Sequence, residues 1–211
     1  MGRKTKITRE MILDAAYELL DESGIGAVAI KPIAAKLGCS TQPISWQFGS
    51  MTELKKELFF YAAGKMGAIM SSSMEGKEAV EAFFISGVVY ISLACEHPHI
   101  FRFLCVDDPT ESVGEEVLEG ASIFNMQFDM EAVGLIAKEY KVPEEKLSPL
   151  VRDVVIYTHG LAAMMMYDSF RLPRETACMM MYELGERMLE SVGIVLPEER
   201  KKAVLENINR C

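Results

Sequence analysis

Five side chains within seven residues carry the chemistry that stands out first: Thr41, Gln42, Ser45, Trp46 and Gln47. Hydroxyls, carboxamides and an indole N–H are the donors and acceptors that pair with base edges in a DNA major groove. At helical spacing Ile44 and Phe48, four residues apart, face inward and leave the other five outward. The set carries no positive charge. The cations that could meet phosphates are Arg3, Lys4, Lys6, Lys31 and Lys55. The bland alternative is a solvated helix, but an exposed tryptophan in a polar helix is unusual for a surface without a partner.

Two short helices joined by a tight turn are needed to present these groups. Ile30, Ile33, Ala34 and Leu37 repeat at helical spacing, Gly38 stops that segment, and Ser40 can cap a second one with Pro43 in its first turn. That is a helix-turn-helix outline. A preceding helix is expected from a Thr8 cap to about Glu22, with Ile12, Ala15, Ala16, Leu19 and Leu20 as its apolar stripe. Gly49 closes the second short helix. Ser50-Met51-Thr52-Glu53 then reads as a capping box opening a long fourth helix to roughly Ser71.

The order Gly24, Ile33-Ala34, Gly38-Cys39-Ser40, Phe48, and Ser50 with Glu53-Leu54 resembles the DNA-binding head of TetR-type transcriptional regulators, over about the first sixty residues. The chain departs from the family's habit at Val28 and Ala29, where a hydroxyl residue usually caps the second helix, and at Thr41, Ser45 and Met51. The resemblance implies an all-α homodimer that binds an operator, acts as a repressor, and is released by a small, mainly apolar molecule. It also implies pairing of two copies through the helices expected over 148–170 and 173–192. The departures keep open another class: a coregulator or ligand-binding dimer of the same shape that works through a protein partner without touching DNA.

Charge distribution supports a divided chain. Residues 1–65 hold nine Lys or Arg against seven Asp or Glu, so of the net charge of −9 the remainder carries −11. A basic arm, Arg3, Lys4, Lys6 and Arg9 with no acid among the first nine residues, can reach phosphates or a minor groove. Five scattered cysteines without a CxxC pair argue against a disulfide framework, and a reducing cytoplasm is the expected setting. No signal peptide and no stretch able to span a bilayer is expected.

The pattern predicts a helix-turn-helix domain over 1–50, a connecting helix over 51–73, a break over Ser71-Ser72-Ser73 to Gly76 as the domain boundary, and a ligand-binding and dimerisation domain over 74–211. Helices are expected over 78–96, 99–106, from about Glu115 to Tyr140, from Pro149 to about Phe170, from Pro173 to Val192, and from Pro197 to Asn209. Leu161 to Met166 and Ala177 to Met181 are apolar on more than one face, so those helices should be covered on both sides.

In the body, Phe84, Val88, Ile91, Phe101, Phe124, Met126, Phe128, His159 and Met164 are candidates for lining a cavity. Each could equally be ordinary core. Fifteen methionines suit a pocket that adapts to varied apolar ligands. Cys95, His97, His99 and Cys105 have a metal flavour, but Pro98 interrupts them and partner ligands are missing nearby, so helix junction and core is the expectation. The acidic run Asp107, Asp108, Glu111, Glu115, Glu116 and Glu119 reads as a solvated face. Without a nucleophile elbow, a phosphate-binding glycine loop or a partnered base, no catalysis and no cofactor are expected.

Overall fold

The computed structural model describes residues 7–108, 110, 127–167, 169–170 and 172–210 of the 211. Arg3, Lys4, Lys6, Phe124 and Met126 lie outside the described residues, as do the side chain of Phe128, most of the acidic run and the expected helix start at Glu115. The described elements are all helical: α1 Arg9–Ser23, a 3-10 turn Ile25–Ala27, α2 Ile30–Lys36, α3 Gln42–Phe48, α4 Met51–Met74, α5 Ala79–Glu96, α6 Pro98–Cys105, α7 Gln127–Tyr140, α8 Glu144–Met165, α9 Arg174–Ser191 and α10 Glu198–Arg210. They form two compact units. The first takes α1, the 3-10 turn, α2, α3, α4 as far as Met66, and α6; the second takes α4 from Gly67, α5 and α7 to α10.

Local signals place the first unit's ends. Thr8 Oγ1 accepts from Met11 N–H at 3.2 Å and starts α1. Gly38 at φ 62° makes the turn after α2, and Gly49 at φ 69° ends α3, donating its N–H to Ser45 O at 2.9 Å. Ser50 Oγ accepts from Glu53 N–H at 3.1 Å and opens α4. Thr41, not Ser40, sits at the N-cap of α3; its backbone is already helical and it makes no side-chain cap bond. Ile12, Leu20, Ile33, Ile44, Leu54 and Leu58 form the core, and Phe59 meets Phe103 of α6 edge-on at 5.6 Å.

Three expected helix ends are corrected. α4 runs past its expected end near Ser71 to Met74, because Ser72 and Ser73 each turn a hydroxyl back to Ile69 O at 2.9 Å; the reversal comes at the far end of the expected break, at Gly76, φ 72°. Pro149 does not start α8 but lies inside it. Ser148 donates to Glu144 O at 2.9 Å instead of capping, and Glu145, whose carbonyl loses the proline's missing N–H, is exposed to water. α8 also ends at Met165, short of Phe170.

In the second unit α5 packs against α7, α8, α9 and α10. Contrary to the sequence expectation, its 18 residues, with mean hydropathy 1.6, are long and apolar enough to cross a membrane. Part of that apolar surface, including Phe84, Ile85, Val88 and Ile91, is buried in this unit. Glycines allow the closest approaches: a Cβ at Gly185 would lie 2.5 Å from Phe84 Cε1, and one at Gly87 2.9 Å from Met181 Cε. Arg200 of α10 pairs with Glu78 and Glu139 and lies over the Tyr140 ring. Along α8 and just past its end, Ile156 is 63% exposed, Met164 46% and Tyr167 54%.

Candidate nucleic-acid interface

α3 is held from both sides, and that decides which of its side chains are free. Ile44 and Phe48 are buried, anchoring it to the rest of the first unit. Thr41, Gln42 and Ser45 are exposed and Trp46 is 89% exposed, giving one polar and aromatic face. An indole left this open in a short, well-anchored helix has an N–H donor and an apolar ring to offer a groove.

Gln47 differs from the other four. It is half-buried, and its Nε2 donates to Ile7 O at 2.9 Å. Its own backbone oxygen accepts from the Arg9 guanidinium. Arg9 Nε also donates to Glu57 Oε2 at 2.7 Å, and the guanidinium lies 4.3 Å from the Phe48 ring centroid. Arg9 thus joins α1, α3 and α4. The sequence held no local sign of this, since its partners lie 38 to 48 residues away.

Among the expected phosphate contacts, Lys31 is exposed on α2 and Lys55 is half-buried on α4. Lys36 is held by Glu18 and Glu22, both at 2.9 Å, and these hydrogen bonds raise its pKa. Val28 is buried and Ala29 takes the N-cap of α2 without a side-chain bond.

The metal-flavoured quartet does not form a site. His97 Nδ1 faces the Asp21 carboxylate at 2.9 Å, His99 packs over Gly24, and Cys105 is buried in the core. Among the described residues no three His, Cys, Asp or Glu converge as metal ligands. An open depression of about 300 Å³ on the first unit is lined by Gly24, Ile25, His99, Arg102, Phe103 and Asp107.

The expected cavity residues separate. Phe84, Val88 and Ile91 are buried in the second unit, Phe101 belongs to the core of the first, and Met164 is exposed. His159 of α8 is half-buried, with Nδ1 2.8 Å from the hydroxyl of Tyr90 on α5. Burial lowers the His159 pKa below its ordinary value. Tyr90 escaped sequence reasoning, although a lone tyrosine in an apolar helix is a polar handle that needs a partner.

Residues 12–58 match a family described as bacterial regulatory proteins, tetR family. An uncharacterised HTH-type transcriptional regulator, YobS of Bacillus subtilis strain 168, is 22% identical over 121 residues; the match covers 56% of this chain and 63% of that protein, so the chain spans somewhat under two thirds of the curated relative's length. A TetR-like transcriptional regulator from Rhodococcus sp. RHA1 superposes with a TM-score of 0.63 at 14% identity, over 90% of this chain and 98% of that one. A TetR variant from Acinetobacter baumannii AYE, in complex with minocycline, gives 0.55 at 16% identity, over 88% and 98%. These likenesses carry the fold: a helix-turn-helix head and a helical remainder.

Proposed function

We propose that this chain, which belongs to the TetR family of transcriptional regulators, is a homodimeric repressor that reads its operator through Thr41, Gln42, Ser45 and Trp46. The observation that carries the DNA part is Trp46, 89% exposed between residues that anchor its helix. Gln42 suits adenine N6 and N7, and the indole suits a thymine methyl or a base-edge acceptor. Lys31, Lys55 and the arm residues Arg3, Lys4 and Lys6 supply phosphate contacts. Gln47 leaves the base-reading set, because its carboxamide is engaged within the head.

Dimerisation through α8 and α9 would cover Ile156, Met164, Tyr167 and Met180, the apolar side chains that one chain leaves exposed there. A small-molecule ligand is supported by a structural neighbour that is seen in complex with minocycline; its mainly apolar character and the release it causes rest on the methionine-rich body and on the family reading. In this chain Tyr90 and His159 offer the polar pair such a ligand would use beside Phe84, Val88 and Ile91. The ligand acts only if it binds one spacing of the two heads better than the other. The reading assigns the chain no catalytic step and no cofactor.

A second reading, a coregulator without DNA contact, draws on two observations: α2 lacks a hydroxyl at its N-cap, and Lys36 is held by two glutamates. Selection from a randomised duplex library separates the two. The repressor enriches a sequence whose affinity falls linearly in log–log with salt. Failure to enrich any duplex at low salt favours the coregulator.

A further inference from the structure

Two helical glycines of the second unit are explained by their neighbours, since a Cβ at Gly87 or Gly185 would collide with Met181 or Phe84. Gly160 of α8 is not: it is exposed, and a Cβ there would meet nothing within 4 Å. Glycine inside a helix destabilises it relative to alanine, and here no neighbour among the described residues gives a reason for it. Its surroundings on the helix are apolar. Ile156 stands four residues before it and Met164 four after, on the same face, both exposed. From Ile156 to Tyr167 the sequence holds no Asp, Glu, Lys or Arg, although the residues after 65 carry a net −11. His159, within that run, is turned to Tyr90. A second copy carries the same excess of negative charge, so the two can be apposed at least cost through a face that bears none.

We infer that two copies of the chain cross at Gly160, α8 antiparallel to α8, with Ile156 of each packed against the partner's Met164. The inference rests on the dimer reading above and adds to it the crossing point, the direction and the register. A two-fold axis through Gly160 exchanges positions equally far on either side of it, so one apolar pair is made twice. The glycine removes the side chains that would hold the two backbones apart at the crossing. Charge selects the direction. A parallel pair would set Asp153, seven residues before Gly160, beside the same carboxylate of the other copy. The antiparallel pair carries Asp153 to the region of the partner's Tyr167, seven residues after Gly160, whose hydroxyl can donate to it. Arg152, 2.7 Å from Asp153, arrives with it beside a helix end that has no basic residue of its own.

The test is disulfide trapping on the full chain, with sedimentation velocity of the wild type alongside. In this crossing position 156 of one copy and position 164 of the other come within reach of a disulfide, whereas within one helix they lie about 12 Å apart and cannot be joined. Under oxidised glutathione, a chain carrying both Ile156→Cys and Met164→Cys should run mostly as a covalent dimer. Peptide mass spectrometry should place the bond between those two positions. Either substitution alone should give no more linkage than the wild type, whose five cysteines set the background. Gly160→Leu, which adds bulk at the crossing, should weaken the dimer by about tenfold or more in sedimentation with helical content retained. A wild-type dimer overturns the crossing, and leaves the dimer reading intact, in any of three cases: no bond forms between positions 156 and 164, Ile156→Cys links to itself, or Gly160→Leu leaves the association undiminished. A monomeric wild type overturns both.

Discussion

Tyr90 Oη and His159 Nδ1 lie 2.8 Å apart, joining α5 to α8 by a polar contact between two largely apolar helices. Burial lowers the folded-state pKa of His159 below the ordinary 6.5, so the unfolded chain binds this proton more readily. The contribution of neutral His159 to stability is thus whole above that value and lost as pH falls through 6.5 toward the folded pKa. Urea midpoints measured from about pH 7.5 to about pH 5 should fall more steeply for the wild type than for His159→Gln. Parallel curves would show that the imidazole is not held neutral.

Trp46→Ala should leave stability within about 0.5 kcal/mol, because the side chain is almost wholly in water. Affinity for a selected duplex should fall by about tenfold or more, the scale of a lost base-edge contact. Thermal melts and a binding titration on the same preparation check both halves.

Arg9→Ala removes the pair with Glu57, the bond to the Gln47 carbonyl and the stacking on Phe48 at once. These contacts are partly in water, which limits the expected loss to about 1–2 kcal/mol in urea denaturation. Arg9→Lys should recover little of it, because an ammonium cannot keep the forked geometry.

Ile156→Glu and Met164→Glu each put a carboxylate on the exposed stripe of α8. Neither disturbs a residue buried in the single chain, so helical content should be retained. Sedimentation velocity should show a shift from dimer to monomer. Unchanged sedimentation would place the dimer contact elsewhere.

Much of the head could be read from the sequence because its boundaries are local chemistry: Thr8 and Ser50 bond the N–H three residues on, and Gly38 and Gly49 take the positive φ their turns require. The misplaced boundaries failed for an equally local reason. Serine hydroxyls at Ser72, Ser73 and Ser148 satisfy carbonyls within a helix as readily as they cap or break one, and only the fold decides which. Exposure was legible where helical spacing turns a side chain outward, as at Trp46. It was not legible where a partner comes from far along the chain: Gln47 has the composition of a base reader but is bonded at Ile7, and Phe101 has that of a pocket wall but packs in the first unit's core. Periodicity reports which face of a helix is apolar, not what covers it.

Trp46 is the single tryptophan of the chain, so its emission reports on the recognition helix alone. The most direct measurement is a fluorescence titration of the intact protein with the duplex it selects, at low and then at raised salt. The account predicts a shift or quenching of Trp46 emission that saturates with the duplex, with an apparent affinity that falls linearly in log–log with salt. Emission that stays unchanged while the same sample binds the duplex, or a folded protein that binds no duplex at low salt, would contradict it.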